Sequence, residues 1–364
     1  MTSAHTSAPL DFPLGDQVPE RGTALEVAPG VLWLRMGLPF ALDHINLWLL
    51  RDALPDAGGA MREGWTLVDC GIDNPQTRED WGRIEAEVLQ GLPILRVLVT
   101  HMHPDHIGLA HHLCERWQAP LWISTSEYQA ACMASSGQSN FGGEQTLRHF
   151  SAHGWTDPQA LDQIRARVDY YPSMVPRVPA THVRWMDAQP VHIGQRTWRC
   201  RVGHGHSPEH IALMDEGGQL LISGDMLLPS ISTNVSVYAQ EPEGNALQWF
   251  LDSLDRMANI PDATLVLPAH GRPFRGALAR IRQLQAHHED RLQALVQLCR
   301  TRAVSAHDAL PVLFKRELNL HQTTFAMGEA IAHLHALWHR GEVRRALGGD
   351  GVWRFSADAS EGRV

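Results

Sequence analysis

The sequence predicts an α/β fold followed by a helical C-terminal domain, and three observations carry that expectation. Short apolar, β-rich runs alternate with helical stretches through the first third of the 364-residue chain. Residues 126–180 interrupt the alternation with helical fragments and no clear strand. From residue 287 the pattern is helical and closes on a hairpin.

Taken in order, residues 1–20 are polar, with no Lys or Arg before Arg21. They lack the basic and apolar parts of a signal peptide and read as a mobile tail on a cytoplasmic protein. Residues 27–36 and 45–51 are strands, separated by Gly37, Pro39 and an Asp43-His44 turn. Another strand, 65–68, ends at Asp69-Cys70-Gly71, and Asn74-Pro75 then caps a helix to about residue 90. The apolar run 94–99 is a buried strand, and Pro104 with residues 109–117 marks a helix start.

Between that strand and helix stands Thr100-His101-Met102-His103-Pro104-Asp105-His106. In extended backbone, residues two apart point the same way, so His101 and His103 can grip one ion together. Asp105 and His106 fall in the first helical turn and can face a second ion beside it. Imidazoles with a carboxylate suit zinc, iron or manganese.

Residues 120–124 form a further strand. The stretch 126–180 holds helical fragments at 127–134, 144–152 and 158–168, with Tyr128, Phe141, Phe150, Trp155, Tyr170 and Tyr171 among its bulky residues. It reads as a lid that shapes a substrate pocket. Strands resume at 183–186 and 197–202, followed by Gly203-His204-Gly205-His206-Ser207-Pro208-Glu209-His210. Strands 211–214 and 219–223 flank a Gly217-Gly218 hairpin, and the second ends at Gly224-Asp225. After a helix at 244–258, the strand 264–267 ends at Pro268-Ala269-His270-Gly271.

These segments repeat one device: a strand ends, glycines appear, and a metal-capable residue follows. Side chains at the same ends of neighbouring strands converge on one sheet edge, so His206, Asp225 and His270 can join the first cluster. The two oxygens of Asp225 can bridge cations about 3.5–4 Å apart. His204 is an alternative ligand to His206. His210 is either a donor that orients the pocket or simply the first residue of the next strand. The histidines at 111–112, 287–288, 333, 335 and 339 lie on helices and read as surface or packing residues.

In the C-terminal part, Leu292, Leu295, Val296, Leu298 and Cys299 mark one helix, Ser305 caps a second, and residues 325–339 form a third. Residues 343–347 and 352–355 make a β-hairpin around Gly348-Gly349-Asp350-Gly351. Three helices and a hairpin are a winged-helix pattern. Residues 287–349 carry eight Lys/Arg against six acids, too weak a footprint for DNA. Packing on the preceding domain or homodimer formation is the preferred reading.

The composition, 44% hydrophobic and 20% charged, is that of a globular protein, and no apolar run could span a bilayer. A net charge of −9, with Lys315 the single lysine, argues against a nucleic-acid partner. The five cysteines are widely spaced, form no C-x-x-C pair and are expected as free thiols.

The set His101-x-His103-x-Asp105-His106, then His206, Asp225 and His270, resembles the metallo-β-lactamase-fold hydrolases over about residues 27–276. The C-terminal part resembles the winged-helix appendage of the β-lactamase-like protein 2 branch. The resemblance implies a four-layer αβ/βα sandwich with a two-metal site at one edge, in a catalytic domain of residues 21–286 and a second domain of 287–364. It further implies that His101, His103 and His206 hold the first divalent ion, and Asp105, His106 and His270 the second. Asp225 would bridge the two, with Asp69 buttressing the loop.

Subfamily patterns narrow the chemistry. Common zinc β-lactamases place cysteine where Asp225 stands, and lactonases carry a tyrosine where this chain has Met226-Leu227-Leu228. Glyoxalase II enzymes hold glutathione partly through lysines, of which this chain has only Lys315. Endoribonucleases of the β-lactamase-like protein 2 branch have a His-x-x-x-His segment resembling His206 to His210. A water shared by two cations loses its proton near neutral pH. The expected activity is therefore hydrolysis by metal-bound hydroxide, with Asp105 as the catalytic carboxylate. The expected substrate is a small acyl thioester of the acyl-CoA or acyl-glutathione kind. RNA cleavage is the alternative, with lactone hydrolysis and non-catalytic ligand sensing behind it.

Overall fold

A computed structural model of the chain describes residues 9–56, 58–138 and 141–358. The tail expected at residues 1–20 lies partly outside these, in residues 1–8. Within residues 9–20, Leu10 and Phe12 pack against the core, and Asp11 exchanges backbone hydrogen bonds with Arg275 (3.3 and 2.8 Å).

Seven strands form one sheet in sequence order: β1 (Leu25–Ala28), β2 (Val31–Gly37), β3 (His44–Pro55), β4 (Met61–Val68), β5 (Ile94–Leu98), β6 (Leu121–Ile123) and β7 (Val183–Arg184). The first four pair antiparallel, and β4 to β7 run parallel. The second sheet contains β8 (Pro190–Ile193), β9 (Arg196–Gly203), β10 (His210–Asp215), β11 (Leu220–Gly224) and β12 (Leu265–Pro268), ordered β12-β11-β10-β9-β8. The run expected at 27–36 is two strands, because Gly30 at φ 72° turns the chain between them. Strand β8 escapes the sequence reading, since Val191 and Ile193 alone face the core in a run that opens on proline.

Alternation within the strands explains the layers. In β2, Val31 and Trp33 point between the sheets, where Trp48, Val68, Leu98, Trp198 and Ile211 also lie. Their neighbours Leu34 and Met36 point outward, beneath helices α1 (Pro75–Arg83), α2 (Pro104–Ile107), α3 (Ala110–Trp117) and α4 (Thr125–Ser135). Both faces are therefore buried, and the strands read as nearly continuous apolar runs. Truncating Trp33 or Trp198, each fully buried, to Ala would cost about 3–5 kcal/mol.

The outer face of the second sheet, with Ala212, Met214, Leu221 and Val266, shares one apolar core with α5 (Gly143–Ala152), α6 (Pro158–Ala166) and α7 (Ala246–Met257). The C-terminal helices α8 (Ala277–Thr301), α9 (Ala306–Leu313) and α10 (Leu320–His339) share this same core. The result is the αβ/βα sandwich. The boundary expected at 286/287 falls inside α8, which runs unbroken for 25 residues. Ser305 and Asp308 form a capping box that starts α9. The chain ends in a hairpin of β13 (Arg344–Leu347) and β14 (Trp353–Ser356), as the glycine turn requires.

All five cysteines are free; four are buried and Cys132 is half-buried. Among the described residues, no helix is long and apolar enough to cross a membrane.

Candidate metal centre

Topology brings the metal-capable residues to one edge. Strands β4 and β5 are parallel, so Asp69 and the loop after Leu98 leave the first sheet at the same end. In the second sheet, β9 and β11 are both antiparallel to β10, and β12 is parallel to β11. The C-terminal ends of β9, β11 and β12 therefore also share an edge, which places His206, Asp225 and His270 together. Backbone bonds from Asn46 N–H to the Ala269 carbonyl (2.7 Å) and from Ile211 N–H to the Thr100 carbonyl (2.8 Å) lock the two edges to each other.

Two groups result: His101, His103, His206 and Asp225, and beside them Asp105, His106 and His270. In the first, His101 Nε2 lies 2.9 Å from His103 Nδ1 and 3.1 Å from His206 Nε2. In the second, His270 Nε2 stands 3.4 Å from both Asp105 Oδ2 and Asp225 Oδ1. Asp225 faces both groups, with Oδ2 3.2 Å from His206 Nε2 and Oδ1 3.6 Å from His106 Nε2.

Partners on the far ring nitrogens fix the tautomers. His206 Nδ1 donates to the Asn234 carbonyl (2.7 Å), and His270 Nδ1 to the His44 carbonyl (2.7 Å). His106 Nδ1 donates to Asp69 Oδ2 (2.8 Å). The Nε2 of each ring is thereby directed at the cluster. His106 Nε2 and Asp225 Oδ1 are buried without a hydrogen-bond partner. Leaving buried polar atoms unpaired is costly. A cation beside them removes that penalty, so the residues present fit divalent metal ions.

The protonation tendencies agree. Burial, reinforced by the neighbouring imidazoles, holds His101 well below the ordinary histidine range. Burial, with His206 adding to it, pushes His103 down to about 3. Burial also opposes charge on His270, but Asp225 and Asp105 outweigh it and raise that group to about 10. Burial would raise Asp225 too, yet His270 and His106 outweigh it and keep the carboxyl well below its usual range. The site is thus an arrangement of anionic carboxylates among imidazoles whose protons a metal ion would displace.

Asp69 hydrogen-bonds the first histidine loop at several points. Besides His106, it accepts from Thr100 N–H (2.8 Å) and Thr100 Oγ1 (2.9 Å). His210 is the first residue of β10, and its Nε2 does not donate to the pocket but accepts from Asp225 N–H (3.0 Å). A Cβ on Gly224 would stand 2.4 Å from that Nε2, so only glycine permits the approach. His204 does not join the cluster; its Nδ1 donates to the Pro208 carbonyl (2.8 Å). The remaining helical histidines pack, as His333 and His335 do against carbonyls of Glu329 and Gly244.

Sequence reasoning missed Glu127, on the first turn of α4. Its buried carboxylate accepts from Met102 N–H (2.8 Å), Ser207 Oγ (2.6 Å) and Glu209 N–H (2.7 Å). It therefore ties the two histidine loops together. Nothing in its local sequence separates it from an ordinary helix-start acid.

A cavity of about 820 Å³ opens onto the cluster, with His103, Asp105, Asp225 and His270 in its floor. The insert contributes Phe141, Arg167, Tyr170 and Met174 to its lining. Its other aromatics do not: Tyr171 is fully buried with its hydroxyl on the Met102 carbonyl, and Phe150 and Trp155 belong to the core shared with α8–α10. The C-terminal part also reaches the cavity, through Phe314, Arg316, His321 and Phe325. That contribution was not legible in the sequence, where the chemistry ends before residue 289.

A four-layer sandwich carrying this double cluster at its open edge defines a metallo-hydrolase. The metallo-beta-lactamase superfamily domain matches residues 61–270, and the metallo-beta-lactamase-like C-terminal domain matches residues 292–358. The chain belongs to the metallo-beta-lactamase superfamily. A beta-lactamase domain protein from Burkholderia ambifaria is 50% identical to it, with a TM-score of 0.89 over 96% of this chain and 98% of that one. The metallo-beta-lactamase family protein TTHA1429 from Thermus thermophilus is 29% identical, with a TM-score of 0.75 over 91% of this chain and 100% of that one. The probable metallo-hydrolase YqjP of Bacillus subtilis (strain 168) is 24% identical over 320 residues, 84% of this chain and 92% of that protein.

Proposed function

We propose that the protein is a binuclear metal-dependent hydrolase of acyl thioesters whose carrier is anionic, of the acyl-CoA or acyl-glutathione kind. The observation that carries this reading is the cavity over the cluster. Leu38, Phe40, Phe141, Tyr170, Met174 and Phe325 give it apolar walls suited to an acyl chain. Arg167 and Arg316 are the arginines among its described lining residues. Arg167 stacks on Tyr170 with its guanidinium 4.4 Å from the ring and meets His321 Nδ1 at 3.3 Å, and among the described residues no carboxylate pairs with it. An arginine held this way can receive a carboxylate or phosphate.

Zinc, iron or manganese at the two groups would supply an acidified water and polarise the thioester carbonyl. The chain's own residues do the rest. Asp225 spaces the two groups. Asp105, partly open to the cavity, is placed to orient the attacking water and accept its proton. The cavity walls exclude bulk water and hold the carbonyl over the cluster. A thiolate is a good leaving group, so the reaction needs no strong general acid at the carrier side.

Single-stranded RNA would need several phosphates neutralised along its path, and the cavity offers two arginines rather than a cationic stripe. His210, the residue behind that alternative, is buried beneath Asp225 rather than facing the cavity. The test is a panel of acyl-CoA, acyl-glutathione, lactone, phosphodiester and single-stranded RNA substrates, run on metal-analysed protein. Thioester hydrolysis should vanish on chelation and return with zinc, iron or manganese, with RNA cleavage weak beside it. RNA cut faster than every thioester, with binding that falls steeply as salt rises, would reverse the assignment.

A further inference from the structure

The segment Pro268-Ala269-His270-Gly271 is hydrogen-bonded at every residue to the antiparallel pair β2 and β3. The side-chain amide of Asn46 donates to the carbonyls of Pro268 (2.9 Å) and Gly271 (3.0 Å), and the Asn46 backbone N–H to that of Ala269 (2.7 Å). Arg35, opposite Asn46 in the strand pairing, donates from Nη2 to the Gly271 carbonyl (2.6 Å) and from Nε to Asn46 Oδ1 (3.1 Å). His44 holds the two groups that remain. Its carbonyl accepts from His270 Nδ1 (2.7 Å), and its ring Nε2 accepts from Gly271 N–H (2.9 Å).

Packing alone would not select these side chains. Asn46 is fully buried in a strand where Ile45, Leu47, Trp48, Leu49 and Leu50 are apolar, and its desolvation is offset only by the hydrogen bonds it makes. Both of its amide hydrogens and its Oδ1 are used, each on the 268–271 segment or on the arginine that shares that task. His44 lies beside His270, with ring centroids 6.2 Å apart, yet neither of its nitrogens points at the cluster. Its Nε2 is taken by Gly271 N–H, and its Nδ1–H is given to Asp43 Oδ1 (2.6 Å). With the backbone fixed on both sides of His270 and the far nitrogen of its ring anchored, Nε2 is directed at Asp105 and Asp225. The loop between β2 and β3 also lines the cavity, through residues 38–42, so one hairpin serves both the metal cluster and the cavity wall.

We propose that His44 and Asn46 are positioning residues for His270, clamping residues 268–271 so that the β2–β3 hairpin aims a metal-binding nitrogen of the second group. The inference rests on reading Asp105, His106 and His270 as a metal site.

The test uses the full chain, stripped with chelator and titrated with Co(II), read by visible absorption and by competition with a chromophoric chelator. His270→Ala identifies the binding step and the bands that belong to the second group. His44→Ala and Asn46→Ala should each weaken that step on the order of 10-fold and change its ligand-field bands, with the other step less affected. His44→Gln keeps a side-chain acceptor for Gly271 N–H and should stay within about twofold of wild type. His44 is partly exposed, so His44→Ala reports even if Asn46→Ala fails to fold. A lower melting temperature with unchanged Co(II) affinity and bands in His44→Ala would overturn the inference, as would an equal loss in His44→Gln. Wild-type protein that binds no Co(II) would instead overturn the metal reading beneath it.

Discussion

Asp69 accepts the Nδ1–H of His106 at 2.8 Å from a backbone held at φ 61°, a conformation that non-glycine residues rarely adopt. The strain persists because the carboxylate also takes both the amide and the hydroxyl of Thr100. Replacing Asp69 by Ala leaves those donors unpaired and frees the His106 ring. Metal affinity of the Asp105/His106/His270 group should fall about 10- to 100-fold. Metal content after dialysis against a weak chelator should then approach one ion per chain. Full retention of two ions would show that the buttress does not matter.

The position of Asp225 between the two groups makes a different prediction. Asp225→Ala should lower occupancy at both, whereas Asp105→Asn should remove most activity and disturb the His101/His103/His206 group less. Elemental analysis beside turnover separates the two outcomes. An Asp105→Asn variant with near wild-type turnover would contradict the role given to that carboxylate, and one ion per fully active wild-type chain would contradict the binuclear reading.

Adjacent tyrosines of the insert should behave oppositely. Tyr170→Ala removes cavity wall, so KM for acyl thioesters should rise several-fold while metal content and melting temperature hold. Tyr171→Ala removes a fully buried ring whose hydroxyl holds the Met102 carbonyl between His101 and His103. It should cost about 3–5 kcal/mol of stability and loosen the metal loop. Denaturant titration and steady-state kinetics on both variants decide this. Equal effects on stability would remove the distinction.

Where the insert meets the C-terminal helices, burial is the main cause that lowers His149, His153 and His335 to about 4 and His333 to about 3. These groups are neutral in the folded protein, whereas the unfolded chain protonates them below about pH 6.5. Their contribution to stability is therefore complete above pH 6.5 and is lost as pH falls toward 4. Each costs about 1.4 kcal/mol per pH unit across that window. Hydrogen exchange in α5 and α10, corrected for its intrinsic pH dependence, should accelerate between pH 7 and 5 by this reckoning. Flat protection over that range would refute it.

Local sequence determined much of this protein. Strand ends followed by glycine and a metal-capable residue placed His101 to His106, His206, Asp225 and His270 at one sheet edge, because strand direction and side-chain alternation are short-range properties. The cap at Ser305 and the final hairpin were legible for the same reason. Tertiary structure alone decided which His-rich positions turn inward: His206 finds the Asn234 carbonyl, while His204, two residues earlier, turns to Pro208. It also recruited Glu127 beneath the metal loops and drew Phe314, Arg316 and Phe325 into the cavity wall. Those assignments depend on contacts between segments as distant as residues 141 and 325, and hydrophobic periodicity carries no record of which buried faces will meet.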